Sequence, residues 1–230
     1  MCKGPRSGAL CTSSHPTPLL ACFYSAHLAW NPTGVDIQRQ LGVTYKTAYR
    51  MGMQIRKLIA STENFDKLTG HIEADEAYVG GVRSGGKRGR GAPGKTIVMG
   101  MAQRGGDIRT VVIPDVKKPT LRGVVLDNVE PGSAVSTDEL MSYGLLTGDG
   151  YTHGAVKHAA KEWSRYDYRS GETFSTNTVE GFWKLFKVSV RSTHIHVSSK
   201  HMQAYLSEFS FRTNKRYLQN AMFDLLIAAI

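Results

Sequence analysis

Three carboxylates stand where their type and setting could do chemistry: Asp75 in HIEADEAYVGG, Asp138 in SAVSTDEL and Glu180 in STNTVEGFWKLFK. A strand alternates its side chains, so His71, Glu73, Asp75 and Ala77 would share one face of the first segment, and Ile72, Ala74 and Glu76 the other. Asp138 follows a short strand, a place that commonly sets a side chain at the rim of a site. Glu180 falls at a helix start capped by Thr176 or Asn177. Lys187 lies two turns further along the same face, which Asn177 also shares. Three converging acids repel one another unless cations neutralise them. Two divalent ions about 4 Å apart on such a set could activate a water or a 3′-hydroxyl and stabilise the leaving oxygen of a phosphoryl transfer. A chain of 230 residues offers many such triples, however, and capping or surface carboxylates are the competing reading of the spacing alone.

The elements that must position these acids follow from periodicity. His71 to Val79, Thr96 to Ala102, Arg109 to Ile113 and Ala134 to Thr137 read as short strands rich in Val, Ile and Thr. Thr120 to Val129, a stretch around Ala155 to Trp163, Thr178 to Val188 and Ser199 to Phe211 carry apolar residues at three- and four-residue steps and read as helices. A mixed α/β sheet flanked by helices is the economical architecture. Upstream, TGVDIQRQLGVTYKTAYRMGMQIRKLI predicts two helices joined at Gly42, with Thr33 and Thr44 as N-caps. This pattern fits a helix-turn-helix over residues 33–60. Its second helix would offer Tyr45, Lys46, Thr47, Tyr49 and Arg50 at the end that enters a major groove; an ordinary helical hairpin with a basic face is the plainer alternative. Residues 61–70 read as a linker.

Charge is distributed to match. Residues 1–70 hold eight Lys/Arg against three Asp/Glu, residues 71–180 fourteen of each, and residues 181–230 seven against two. A neutral centre supplying carboxylates between two basic arms suits an enzyme acting on a polyanion, with nucleic acid the leading partner. Gly80 to Lys95 holds seven Gly and five Lys/Arg, including Lys87, Arg88 and Arg90, and reads as a flexible basic loop able to order on a phosphate backbone. It lacks the spacing of a nucleotide-binding P-loop. No run of eighteen apolar residues exists, so no membrane span is expected, and three Cys within the first 22 residues indicate a reducing, cytoplasmic setting.

The ordered series QLGVTYKTAYRM, ADEAYVGG, STDELMSY, YTHGAVKH, STNTVEGFWKLFK and THIHVSSKHMQAYLSEFSFRTNKR resembles the bacterial DDE transposases of the insertion-sequence 1595 type, whose core is called ISXO2-like. The likeness runs from about Thr33 to Arg216. It implies an RNase H-like fold over 71–216, a C-terminal tail over 217–230, and Mg²⁺, replaceable by Mn²⁺, as cofactor. The implied activity is cleavage at insertion-sequence ends and strand transfer to target DNA by a homodimer or larger assembly, in a nucleoid-associated protein. Asp75 and Asp138, 63 residues apart, carry over as the first two acids. The third position is Glu or Asn followed by Lys: Glu180 with Lys187, or Asn177 with Lys184, each keeps a seven-residue step. Glu180 is preferred as the better cation ligand, with Asn177 retained as the alternative and Lys184 and Lys187 as phosphate contacts. On this reading Asp75 bridges both ions while Asp138 and Glu180 complete one each.

His153 and His158 could orient a substrate strand or a neighbouring carboxylate, or simply pack. His194, His196 and His201 lack the spacing of a closed zinc site. The family usually begins with a Cys-rich zinc ribbon, whereas this chain has no Cys-x-x-Cys pair, so residues 1–32 are expected to be a shortened N-terminal segment. A DNA-binding remnant without activity, and a structure-selective nuclease of the same fold, are the other functions compatible with these residues.

Overall fold

The computed structural model describes residues 33–62, 66–80, 94–138, 146–157, 162–194, 197–218, 221–222 and 225. They fall into two compact units, one within 1–63 and 215–230, the other within 64–214.

In the first unit, α1 (Gly34–Leu41) and α2 (Tyr45–Ser61) form where the caps require. Thr33 and Asp36 make a reciprocal capping box, and the Thr44 hydroxyl accepts from the Thr47 amide at 3.3 Å. Gly42 ends α1 at φ 64°, the left-handed conformation that glycine adopts without a Cβ penalty. Ile37, Ala48, Ile55 and Ile59 are buried, whereas Tyr45, Lys46 and Arg50 are exposed and Thr47 is half-buried.

The second unit is a five-stranded sheet. Its strands are β1 (His71–Gly80), β2 (Lys95–Gln103), β3 (Ile108–Ile113), β4 (Ala134–Thr137) and β5 (Thr152–Ala155), in the order β3-β2-β1-β4-β5. β1, β2 and β3 pair antiparallel; β4 and β5 run parallel to β1. This is the mixed, RNase H-like arrangement expected from the sequence. Alternation divides it into two apolar layers. Ile72, Ala74, Met99, Met101 and Val135 pack with Leu121 and Val125 of α3 (Lys118–Asn128) on one face. On the other, Ala77, Val79, Val98 and Ala102 pack with Val179, Phe182, Trp183 and Phe186 of α4 (Asn177–Ser189) and with Met202 and Leu206 of α5 (Met202–Asn214).

The outer edge of β3 is covered by amide side chains of α5. Gln203 accepts from the Val112 amide and donates to the Thr110 carbonyl, both at 2.9 Å, and Asn214 does the same for Ile108 at 2.8 and 2.9 Å. Backbone groups that would otherwise template another strand are thereby satisfied.

One expectation is corrected here. The helix expected around Ala155 to Trp163 does not form at its start, because Thr152–Ala155 is β5, paired with β4; Glu162 to Ser164 also lie outside any helix, and residues 158–161 fall outside those described. The reason is packing that periodicity cannot reveal. A Cβ on Gly154 would lie 2.3 Å from Cγ of Phe174, so β5 is held by a ring that needs this glycine. Phe174 belongs to a two-stranded hairpin, β6 (Arg165–Asp167) and β7 (Glu172–Phe174), which the sequence reading did not anticipate.

Gly100 of β2 makes a second close approach. It pairs with Asp75, and a Cβ there would stand 2.6 Å from Cζ2 of Trp183. The indole of α4 thus lies directly against the backbone beside Asp75. Gly100→Ala must displace the ring, and we expect a loss of about 1–3 kcal/mol, the usual cost of overpacking, measured by urea unfolding. Unchanged stability would show that α4 does not rest on this glycine.

Candidate active site

The parallel ladder between β1 and β4 is short, ending at Glu73 opposite Ser136. Beyond it β1 continues against β2, and Asp138 directly follows the last residue of β4. A ligand oxygen from each of Asp75, Glu76 and Asp138 lies within 4.8 Å of the others, and all three residues are half-buried. Burial, then the charges of Asp138 and Glu180, push the Asp75 carboxyl up to about 6; a backbone hydrogen bond and Lys187 pull the other way. The fold therefore brings three of the sequence-derived residues, Asp138, Glu180 and Lys187, each into electrostatic range of a fourth, Asp75. Convergent carboxylates of this kind form the all-oxygen donor set that hard divalent cations take.

Helix α4 delivers Glu180 and Lys187, and the anchoring of α4 was not foreseen. Its N-cap, Thr176, makes no side-chain cap bond. Instead Glu73, 1% exposed on β1, accepts from the Thr178 amide at 2.6 Å and the Val179 amide at 3.3 Å through one carboxylate oxygen. Its other oxygen accepts from Arg104 Nε at 3.0 Å and Ser175 Oγ at 3.2 Å. A carboxylate at a helix N-terminus satisfies open N–H groups and opposes the positive end of the helix dipole. The Thr176 hydroxyl is used differently, donating to Glu180 Oε1 at 2.8 Å. One strand thus carries the helix anchor and, two residues on, the central acid. Nothing in the spacing links residue 73 to residue 178, so only the fold reveals the pair. Glu76 escaped notice for another reason, since alternation assigns it to the opposite face.

The remaining candidates divide. Lys187 is half-buried, and its ammonium is held below the ordinary lysine range by burial, and by Arg191 and Lys95 against the opposing pull of Asp75. Lys184 is exposed on α4, and Asn177 is the exposed first residue of that helix. His153 shares a 2.9 Å hydrogen bond with Thr137 Oγ1, which donates to the Asp138 carbonyl at 2.9 Å; burial lowers its pKa. His194 meets Tyr205 edge to face, with centroids 4.7 Å apart. Lys87, Arg88, Arg90, His158 and His196 lie outside the described residues. Among those described, no helix is long and apolar enough to cross a membrane.

Residues 67–214 match the model of the ISXO2-like transposase domain. The chain belongs to that family. It is 26% identical, over 113 residues, to an uncharacterized transposase-like protein of Haemophilus influenzae, a match covering 49% of this chain and 85% of that protein. Among solved structures, a pre-cleavage Mos1 transpososome matches 94% of this chain and 81% of its own at 12% identity, with a TM-score of 0.29. A Mos1 transposase paired-end complex with left transposon end matches 92% and 81% at 13% identity, with a TM-score of 0.28.

Two outcomes follow for this ISXO2-like domain. Glu73→Ala strips the α4 amides and Arg104 of their shared acceptor, and should cost about 3 kcal/mol in urea unfolding, the low end for breaking a buried ion pair because Arg104 is partly exposed. Glu73→Gln keeps an acceptor oxygen and should cost clearly less; equal losses would refute the capping role. The second outcome concerns pH. Because the folded-state pKa of Asp75 is raised, its contribution to stability is fully present below the unfolded value near 4 and is lost as pH rises through about 6. Asp75→Asn should therefore raise the melting temperature of the metal-free protein by a few degrees at pH 7.5 and have little effect at pH 4; a loss at pH 7.5 would contradict this electrostatic account.

Proposed function

We propose that this chain is a transposase that cuts DNA at the ends of an insertion sequence and joins the freed 3′-hydroxyl to target DNA, with a divalent cation, Mg²⁺ or Mn²⁺, held by Asp75, Asp138 and Glu180. The observation that carries the reading is the convergence of Asp75 and Asp138 beside the helix that presents Glu180 and Lys187. Membership of a transposase family supports the class of substrate.

The residues then divide the work. Asp75, Asp138 and Glu180 supply negative oxygens, with Glu76 close enough to join them. When bound, the cation polarises a phosphodiester oxygen and lowers the pKa of the attacking water or hydroxyl. Lys187 places a positive charge beside Asp75, suited to a phosphate flanking the scissile bond. Its partial burial keeps that charge close to the acids. Thr176 holds Glu180 through its hydroxyl. Asn177 stands at the helix start as the alternative third position, and Lys184 as a more distant phosphate contact.

For DNA positioning, Tyr45, Lys46, Thr47 and Arg50 occupy the N-terminal end of α2, the part of a second helix that reaches a major groove. Lys87, Arg88 and Arg90 add charge to the segment between β1 and β2. Pairing of two element ends calls for a homodimer or larger on DNA.

The decisive assay is cleavage and strand transfer, in Mg²⁺ and in Mn²⁺, on DNA carrying the element's own terminal repeats. Asp75→Asn and Asp138→Asn should each lower the rate by more than the roughly 10- to 100-fold typical of losing an outer-shell partner, while DNA affinity is retained. Binding without cleavage by the unaltered chain under both metals would make it a DNA-binding remnant, and undiminished cleavage by both variants would remove the acids from the reaction.

A further inference from the structure

We propose that Trp183 is a positioning residue for Asp75, its indole N–H donating to the ionised carboxylate when a cation sits on the acids. The inference rests on the divalent-cation part of the transposase reading and adds to it the donor that orients the central ligand.

An orphan donor is the starting observation. Trp183 is 2% exposed, and its Nε1–H has no hydrogen-bond partner among the described residues. A buried donor left unpaired is unfavourable and calls for a partner. Phe182 and Phe186 fill the same apolar layer from the same helix without any polar atom, so packing alone does not require an indole at position 183.

The packing sets where the donor lies. A Cβ on Gly100 would stand 2.6 Å from Cζ2 and 3.1 Å from Cε2 of the ring. Cε2 is bonded to Nε1, so the edge that carries the donor is the edge turned to Gly100. That glycine pairs with Asp75 of β1 on one side and Thr110 of β3 on the other. Directly opposed residues of antiparallel strands share a face, with Cβ positions about 4.5–5.5 Å apart, so both side chains border the ring. Val98 and Ala102, the next residues of β2 on this face, offer no side-chain acceptor.

Of the two acceptors, Asp75 is the one with capacity to spare. The Thr110 hydroxyl already shares a 3.0 Å hydrogen bond with Ser210 Oγ. An ionised carboxylate has about four acceptor sites, more than a cation occupies. Burial disfavours the ionised form of Asp75, and a donor to that form opposes the penalty. Helix spacing agrees. Trp183 comes three residues after Glu180 and four before Lys187, so α4 presents acid, indole and ammonium on one side, and the charges of Glu180 and Lys187 both bear on Asp75.

The test follows the indole N–H groups of the full chain by ¹⁵N NMR as Mg²⁺ is added, beside Mg²⁺ affinity by calorimetry. The chain has three Trp, and the signal lost in Trp183→Phe belongs to position 183. It should move downfield as Mg²⁺ saturates, and Thr110→Val should leave that movement in place. Trp183→Phe should lower Mg²⁺ affinity by about 10- to 100-fold, the range for losing an outer-shell partner. So should 3-benzothienylalanine at position 183, which keeps the ring shape and puts sulfur in place of N–H. Unchanged affinity in the sulfur variant overturns the proposal, as does a signal that stays still while Mg²⁺ binds, or one whose movement Thr110→Val abolishes. In each of those cases, loss of Mg²⁺ binding in Asp75→Asn would keep the cation site standing. An unaltered chain that binds no Mg²⁺ overturns the proposal and the cation part of the transposase reading together.

Discussion

A single carboxylate determines where helix α4 begins. Glu73 is buried on β1, and its two oxygens collect two backbone amides of α4, a serine hydroxyl and the Arg104 guanidinium. A charge so far from water survives only when its acceptor sites are met, and here they are met by donors from the helix it must hold. With the first turn fixed, 3.6 residues per turn decide the rest. Glu180 follows within one turn and Lys187 two turns later, on the side facing β1. The residue that would ordinarily cap the helix, Thr176, is released to orient Glu180.

The same network reaches beyond the helix. Arg104 donates to the Thr173 carbonyl at 2.7 Å and Ser175 Oγ at 2.6 Å, so the ion pair that anchors α4 also secures the strand leading into it. His71 spans Ser136 Oγ at 2.6 Å and Glu172 at 3.1 Å, and burial lowers its pKa, which favours the neutral ring that such a bridge between β4 and β7 can use. Polar contacts thus tie β1, β4, β7 and α4 together at one end of the sheet, while the opposite layer against α3 is apolar. Apolar packing supplies the non-directional cohesion. Directional bonds are concentrated where carboxylate positions matter.

Local signals in the sequence were enough for part of this. Alternation put Asp75 on the face shared with Glu73, the hydroxyls of Thr33 and Thr44 marked two helix starts, and the strand ending at Thr137 placed Asp138 at its tip. What escaped needed information that no window contains. Glu73 gains its role from residues more than a hundred positions away. Glu76 joins the acids although alternation along one strand assigns it to the other face. The fit between Gly154 and Phe174 that joins β5 to the hairpin is purely tertiary. The segment carrying Lys87, Arg88 and Arg90 stays a matter of composition.

Gly100 carries a consequence for the pairing of β1 with β2. Strands can slip by two residues without turning their apolar sides outward. Such a slip would set Val98 or Ala102, rather than Gly100, opposite Asp75. Either side chain would then stand where the indole of Trp183 rests, under a helix already tied to β1 by Glu73. The missing Cβ is therefore a register mark, and it decides which residue of β2 comes to lie opposite Asp75 beneath α4.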